Sequence, residues 1–342
     1  MKMRNITCLA GMIFFIFCSG CSKRVVDLEQ VNPEEKIVIK FSHVVAENTP
    51  KGMAAQRFAK LVKERTGGRV EVQIFPNSTL YKDGEEIEAL QSGAVQIIAP
   101  AASKLSALDP QWQLLDLPYA FDNEGSVHKV MESQIGNRLF NGLKQHNIQA
   151  LAFWDSGFKQ MTNNVKPLVN KEDFKGLSFR VMINSQVLKK QFEYLGSRPV
   201  EGLFSNLYYD LETCRVNGEE NTLSNIYSKK LFKVQPYLTI SNHGYMGYVV
   251  MTNVEFWSEL PEKVRRVLED TLLEVTKWER EQALKMNREG LEQVVSSGLV
   301  QVHYQTEAEK KEWISVLEPI YYEFIKTYGE EMVSFIEQLN YK

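Results

Sequence analysis

Arg180 stands in the run Leu177-Ser178-Phe179-Arg180-Val181-Met182, which alternates as a strand does. Leu177, Phe179 and Val181 fall on one face, and Ser178, Arg180 and Met182 on the other. A guanidinium held in this way can meet a carboxylate through two parallel hydrogen bonds. Two readings stand at this point: an anion clamp, or an arginine on the wet face of a strand. His43 poses a similar choice. It follows Ile37-Val38-Ile39-Lys40-Phe41-Ser42, a strand-like run rich in β-branched residues. Ligand sites of α/β proteins gather where strands end; a structural histidine is the other reading.

Bond-making chemistry leaves no recognisable pattern. The sequence has no Gly-x-Ser-x-Gly elbow, no His-Glu-x-x-His zinc helix and no phosphate-cradling glycine motif. Its five histidines include none paired at metal-ligand spacing, so no metal and no cofactor is expected. An enzyme of the cell envelope stays open on motifs alone, because paired glycosidase carboxylates leave no signature.

The chain's beginning speaks to compartment. Lys2 and Arg4 precede the apolar run Cys8 to Phe17, and Ser19-Gly20-Cys21 follows. A basic start, a short apolar core and small residues describe an export signal. The run is too short for the ~20 residues a spanning helix needs. Cys21 after Ser19-Gly20 is similar to the lipobox of bacterial lipoproteins, which implies a signal peptide over 1–20 and a lipid anchor on Cys21. The polar stretch 21–35, with Asn32-Pro33 near its end, reads as a tether. Cys214 is then the one thiol left, expected as a small apolar residue in a helix.

The rest is an average globular chain: 342 residues, 44% hydrophobic and 24% charged, enough for two ordinary domains or one large one. Its net charge of −3, or −5 without Lys2 and Arg4, argues against nucleic acid as a partner.

The elements that would position Arg180 and His43 follow a strand-helix rhythm. Thr49-Pro50 opens a helix as N-cap and first-turn proline, and Thr66-Gly67-Gly68 closes it after Arg65. Val70 to Phe75 is a strand, Gly84 to Ser92 a helix, and Val95 to Ala99, Ile148 to Trp154 and Leu177 to Met182 are further strands. This alternation predicts an α/β fold on a mainly parallel sheet. From Pro261 to about Val295, Val264, Leu268, Leu272, Val275 and Trp278 recur at helical spacing. That predicts one helix of roughly 50 Å, long enough to touch two lobes.

Several ordered stretches carry a family resemblance: Phe41-Ser42-His43-Val44-Val45-Ala46-Glu47, Phe153-Trp154-Asp155-Ser156-Gly157-Phe158-Lys159, Phe174-Lys175-Gly176-Leu177, Asn217-Gly218-Glu219-Glu220-Asn221, Ser224-Asn225-Ile226-Tyr227 and Ser241-Asn242-His243-Gly244-Tyr245. The chain resembles the solute-binding proteins of tripartite ATP-independent periplasmic (TRAP) transporters, in the DctP-like, C4-dicarboxylate-binding group. The resemblance implies a two-lobed periplasmic-binding-protein-like α/β fold with a central cleft and one long helix across both lobes. It implies lobe I from 36–156 with 247–285 and lobe II from 157–246 with 286–342, bending near Gly157 and Gly247.

The resemblance also implies a ligand set. Arg180 matches the family's carboxylate-clamping arginine. Asn221 matches an asparagine that donates to the anion, and Phe204 an aromatic that packs on it. Lys159 falls where a second basic residue is often found, and Lys104 at another position of the cleft. His43, Trp154 and Asn242 lie near the cleft. Glu219 stands where glutamine is usual and Thr222 where proline is usual, and a His243–Glu220 link would shape the second lobe. The function implied is capture of a small organic anion, such as succinate, fumarate or malate, outside the cytoplasm. Delivery follows to the small and large TRAP membrane subunits. A ligand-sensing partner of a membrane sensor kinase is the alternative.

Overall fold

The computed structural model describes residues 36–340. The expected signal peptide, the expected tether and Cys21 lie outside the described residues. In chain order the elements are β1 (Ile37–Ser42), α1 (Pro50–Arg65), β2 (Val70–Phe75), α2 (Glu85–Gln91), β3 (Ile97–Ile98), α3 (Glu124–Met131), α4 (Gln134–Gly142), β4 (Ile148–Asn163), β5 (Ser178–Val181), α5 (Gln186–Tyr194), β6 (Arg198–Glu201), α6 (Leu207–Glu212), β7 (Gly218–Thr222), α7 (Leu223–Ser228), β8 (Tyr237–Asn253), α8 (Val254–Glu259), α9 (Glu262–Ser296), β9 (Gln301–Tyr304), α10 (Glu307–Tyr328) and α11 (Glu331–Asn340).

Local chemistry sets these boundaries. The Thr49 hydroxyl accepts from the Gly52 N–H at 3.1 Å, and Pro50 takes the first helical position of α1. Here the cap supplies an oxygen to an otherwise orphaned backbone donor. Gly52 sits so close to the preceding loop that a Cβ would fall 2.3 Å from the Ala46 carbonyl oxygen.

The strands form one sheet in the order β2-β1-β3-β8-β4-β7-β5-β6, with β9 on β8. It is parallel towards both edges and antiparallel in the middle, where β4 pairs with β8 and β7. The expectation of a mainly parallel sheet therefore needs correcting. β4 does not stop at Trp154 but runs on through nine polar-rich residues to Asn163. Paired with the 17-residue β8, it carries the chain from one half of the sheet to the other.

Three register shifts interrupt the β4–β8 pair, between Ala150 and Ala152, Asp155 and Gly157, and Lys159 and Met161. Such bulges bend and twist a strand locally. Gly157 lies at the middle one with φ +116, and a Cβ there would fall 2.6 Å from the Asn287 amide nitrogen.

Most of the apolar side chains pack into a core that reaches from Phe41 to Phe179 and Trp313. A second cluster, Leu207, Leu211, Ile226, Leu231, Leu238 and Val294 among it, sits under α6 and α7.

α9 ties these parts together. Near its start Arg65 of α1 donates to Thr271 at 2.9 Å. In its middle Thr276 accepts from the Trp154 indole at 2.9 Å, and Glu279 from the Asp155 N–H at 2.9 Å. Further on, Asn287 donates to the Ser156 carbonyl at 2.7 Å and accepts from the Ser224 N–H at 2.9 Å. One rigid rod thus grips α1, the β4 crossing and α7.

Cys214 corrects another expectation. It is exposed, follows α6 rather than sitting in a helix, and has φ +55. The turn that leads the chain back towards β7 needs that left-handed residue, so burial gives way to backbone geometry.

Candidate functional site

Arg180 sits on β5 between β6 and β7 and is 4% exposed. Its Nε donates to the Gly202 carbonyl at 2.8 Å. That bond fixes the plane of the guanidinium. Its terminal nitrogens have no hydrogen-bond or ion-pair partner among the described residues. Burial works against its charge, while Asp83, Glu219 and Glu220 support it. An arginine stays protonated throughout, so a buried cation with free donors is left facing a cavity.

The cavity it faces is a narrow one, with about 330 Å³ of atom-free space when the open solvent at its edge is counted. Arg180, Lys104, Asn221, Asn225, Phe204 and Tyr248 line it. Val44, Val45, Met182 and Met246 complete an apolar wall. A few convergent donors on an otherwise apolar surface orient a small polar ligand. The donors come from β5, from the turn after β3, from β7 and α7, and from β8.

Lys104 reaches the cavity with its charge already engaged. Its ammonium pairs with Asp83 and, at 3.3 Å, with Glu86, all three being buried. Burial opposes the Lys104 charge, but the two carboxylates outweigh it and raise its pKa. Burial alone would raise Asp83; the Lys104 ammonium and the Phe204 N–H hold it at about 2. The second Asp83 oxygen accepts from that N–H at 2.6 Å. Glu86 is pushed up by burial.

Lys51 lies close behind, fully buried. It donates to the Ala99 carbonyl at 2.7 Å, stands 3.6 Å from the Tyr248 ring centre, and is pulled down by burial to about 7.

Asn221 donates to Glu219 at 3.0 Å, and its oxygen accepts from Thr222 N–H and Asn225 at 3.1 and 2.9 Å. Asn225 also reaches the Tyr248 hydroxyl at 3.3 Å, which bonds Ser156 at 3.2 Å. Burial pushes Glu219 up to about 7, with Asn221 and Arg180 pulling the other way. Near neutral pH Glu219 is thus partly uncharged, so this carboxyl does not fully offset Arg180. That is how a glutamate is tolerated beside an anion site.

Lys159 is not on the cavity lining. Its ammonium bonds Glu220 at 2.5 Å, and the other Glu220 oxygen accepts from Gln191 and contacts His243 Nε2, both at 2.8 Å. Burial would raise Glu220, but Lys159 and His243 hold it well below the usual carboxylate range. The His243–Glu220 link is therefore present, and Lys159 completes it as a buried network.

Three further residues also fall away from the lining. Trp154 is buried between β4 and α9 against Phe41. Asn242 is exposed on β8 and accepts from Gln160 at 2.6 Å. His43 is buried beside Phe41 with neither ring nitrogen bonded, and burial and Lys51 lower it to about 3.

Asn225, Tyr248 and Asp83 were not anticipated as site residues. Asn225 was readable in principle, lying one helical turn from Asn221. Asp83 had only its place before Gly84 to mark it.

A larger hollow of about 790 Å³ lies between α9 and β4, lined by Phe153, Leu272 and Thr276. Its one cation, Arg280, pairs with Glu132 at 2.9 Å, and Glu269 adds a second carboxylate. It offers an anion no free cation. No group of described residues could hold a metal ion, and no described helix is long and apolar enough to cross a membrane.

The sequence model of the bacterial extracellular solute-binding proteins, family 7 (DctP), matches residues 41–327. The C4-dicarboxylate-binding protein DctB of Bacillus subtilis is 44% identical over 98% of both chains. A TRAP periplasmic solute-binding protein of Sulfurospirillum deleyianum, solved with bound succinate, superposes with a TM-score of 0.85. It is 40% identical, covering 88% of this chain and 98% of its own. One from Pseudomonas aeruginosa, with bound L-malate, gives 0.81 at 35% identity, covering 84% of this chain and 99% of its own. The two-lobed fold, the long bridging helix and these matches together make this chain a member of the DctP family of TRAP-transporter solute-binding proteins.

Proposed function

We propose that the cavity captures a C4-dicarboxylate of the succinate–malate class and that the protein hands it unchanged to the TRAP membrane subunits. One observation carries this: Arg180 is buried, fixed through Nε, and keeps its terminal donors free towards a small cavity. The bound succinate and malate of the relatives support the choice of anion.

The charge balance points the same way. Burial raises Glu86 and Glu219, which leaves Arg180 and Lys104 opposed mainly by Asp83. Within this site Arg180 clamps one carboxylate, Asn221 donates its remaining N–H to it with Asn225 holding the Asn221 oxygen, and Phe204 packs on the carbon chain. Lys104 lends positive field through Asp83 rather than a free bond. Lys159, Trp154, His43 and Asn242 act behind the site.

The proposal places this protein outside the cytoplasm, held by lipid on Cys21, without catalytic activity. The lobes join 36–156 with 247–285 and 157–246 with 286–342, and close by bending at the β4–β8 bulges. Contacts of α9 with both parts support that division.

A thermal-shift screen of small mono- and dicarboxylates tests the function. A true ligand raises the melting temperature with concentration as binding to the native state requires. Succinate, fumarate or malate should shift it most; no shift with any of them at millimolar concentration would count against the proposal.

A further inference from the structure

The cations around the cavity differ in what remains of their charge. Lys104 is paired with Asp83 and Glu86, and Lys159 with Glu220. Lys51 donates to the Ala99 carbonyl beneath the Tyr248 ring. Lys229 has no carboxylate partner among the described residues, and its ammonium stands 4.6 Å from the centre of the Phe204 ring. Phe204 lines the cavity.

We propose that Lys229 is a specificity-determining residue, its ammonium holding the second carboxylate of a dianion whose first carboxylate is gripped by Arg180. This rests on the organic-acid reading above and adds to it the residue that counts the ligand's charges.

The helix geometry brings Lys229 there. α7 begins directly after Asn221, and Asn225 on its first turn lines the cavity. Lys229 caps the same helix four residues later, so it lies on the face of Asn225, one turn further along. It is half-buried, with the ammonium held over an aromatic face, an arrangement that favours a cation.

Its surroundings are short of counter-charge. Burial and the positive charge of Arg180 both lower its pKa, with Asp83 the one opposing group. Asp83, however, is already bonded to Lys104 and to the Phe204 N–H. Lys229 is not itself on the lining but stands over the Phe204 ring that is, and two cations that repel each other, Arg180 on the lining and Lys229 beside it, are both satisfied by one molecule with a carboxylate at each end. A monoanion satisfies only one of them. Lysine suits this end of the site, because its flexible stem lets a point charge follow ligands of slightly different length.

Calorimetry on the purified protein with succinate and with succinamate tests this, since the two have the same length but differ by one charge. Lys229→Gln should weaken succinate about tenfold or more, as loss of a close charge pair does, and change succinamate by less than about threefold. Lys229→Arg should restore the preference for succinate. Melting temperatures of both variants should match the parent, because the side chain is partly exposed. Lys229→Gln binding succinate within threefold of the parent, or losing both ligands alike, overturns this inference alone. A parent that binds neither ligand overturns the organic-acid reading, and this inference with it.

Discussion

The Asp83 carboxylate accepts a hydrogen bond from the Phe204 backbone N–H at 2.6 Å, joining segments 121 residues apart in sequence. Its other oxygen is held by Lys104. One buried carboxylate thus ties the loop before α2 to the segment before α6, whose Phe204 lines the cavity. We predict that Asp83→Ala loosens this closure. Small-angle scattering of the ligand-free variant should show a larger radius of gyration than the parent, and added ligand should shrink it back. Identical curves for variant and parent would mean that Asp83 holds nothing closed.

The Lys159–Glu220–His243 network makes a separate prediction about stability. All three side chains are buried, with Gln191 filling the remaining acceptor site of Glu220. Removing one partner strands a buried charge, which costs roughly 3–5 kcal/mol. Lys159→Met should therefore lower denaturant stability by about that amount. Lys159→Met combined with Glu220→Leu should cost clearly less than the two single changes added together. Additive costs would show that the pair is not coupled.

Glu219 predicts a pH dependence of binding. Its folded pKa is raised to about 7, chiefly by burial, and Arg180 is beside it. Below that value the carboxyl is neutral. Above it, a negative charge faces the incoming anion and competes for Arg180. A bound dianion disfavours that charge further, so binding takes up a proton. Affinity should fall as pH rises from 6 to 8, approaching about tenfold per unit on the alkaline side. Glu219→Gln should flatten the profile. An unchanged slope in that variant would exclude Glu219 as its source.

His43 predicts the acid side of the stability curve. Its folded pKa is lowered to about 3 from an ordinary 6.5, by burial first and then by Lys51. Between those values the unfolded chain binds a proton that the folded chain refuses. Stability should therefore decline as pH falls from 6.5 towards 3. Glu220, held low in the fold, adds to the decline below its ordinary 4.5. His43→Leu should remove about one proton from the uptake on unfolding between pH 6.5 and 4.5. A variant with the parent's pH dependence would contradict this account.

Much of the fold was legible where side chains separate cleanly by polarity. β1 and β2, the capped α1 and the 35-residue α9 all follow from apolar spacing and end signals. The second half of β4 and the whole of β7 did not show themselves. Asp155, Ser156, Lys159, Gln160 and Thr162 carry no apolar alternation, and neither does Gly218-Glu219-Glu220-Asn221-Thr222. Both are buried strands, because their polar groups find partners: Lys159 on Glu220, Thr162 on Glu219 and Ser156 on Thr222 between the two strands, with Asp155 on His128 and Gln160 on Asn242 beyond them. Hydrophobic periodicity cannot register a core held by paired polar groups.

The site was legible in the same uneven way. The alternating strand set Arg180 on the face opposite Phe179 but left a wet-face arginine open, and the family resemblance alone marked it as a clamp. Lys104 and Lys159 both looked like candidate ligand cations, with nothing local to separate them. Their carboxylate partners lie 18 to 61 residues away in sequence, and only the fold brings them together. Lys229 has no such partner, a difference no local pattern encodes.

The most direct test of the central claim is calorimetric titration of succinate into the parent, Arg180→Lys and Arg180→Ala. The parent should bind one equivalent. Arg180→Ala should lose roughly 2–5 kcal/mol, the cost of truncating a buried, hydrogen-bonded charge contact, and Arg180→Lys a good part of it. Succinate bound by a folded Arg180→Ala within a few-fold of the parent would remove Arg180 from the site and contradict the account.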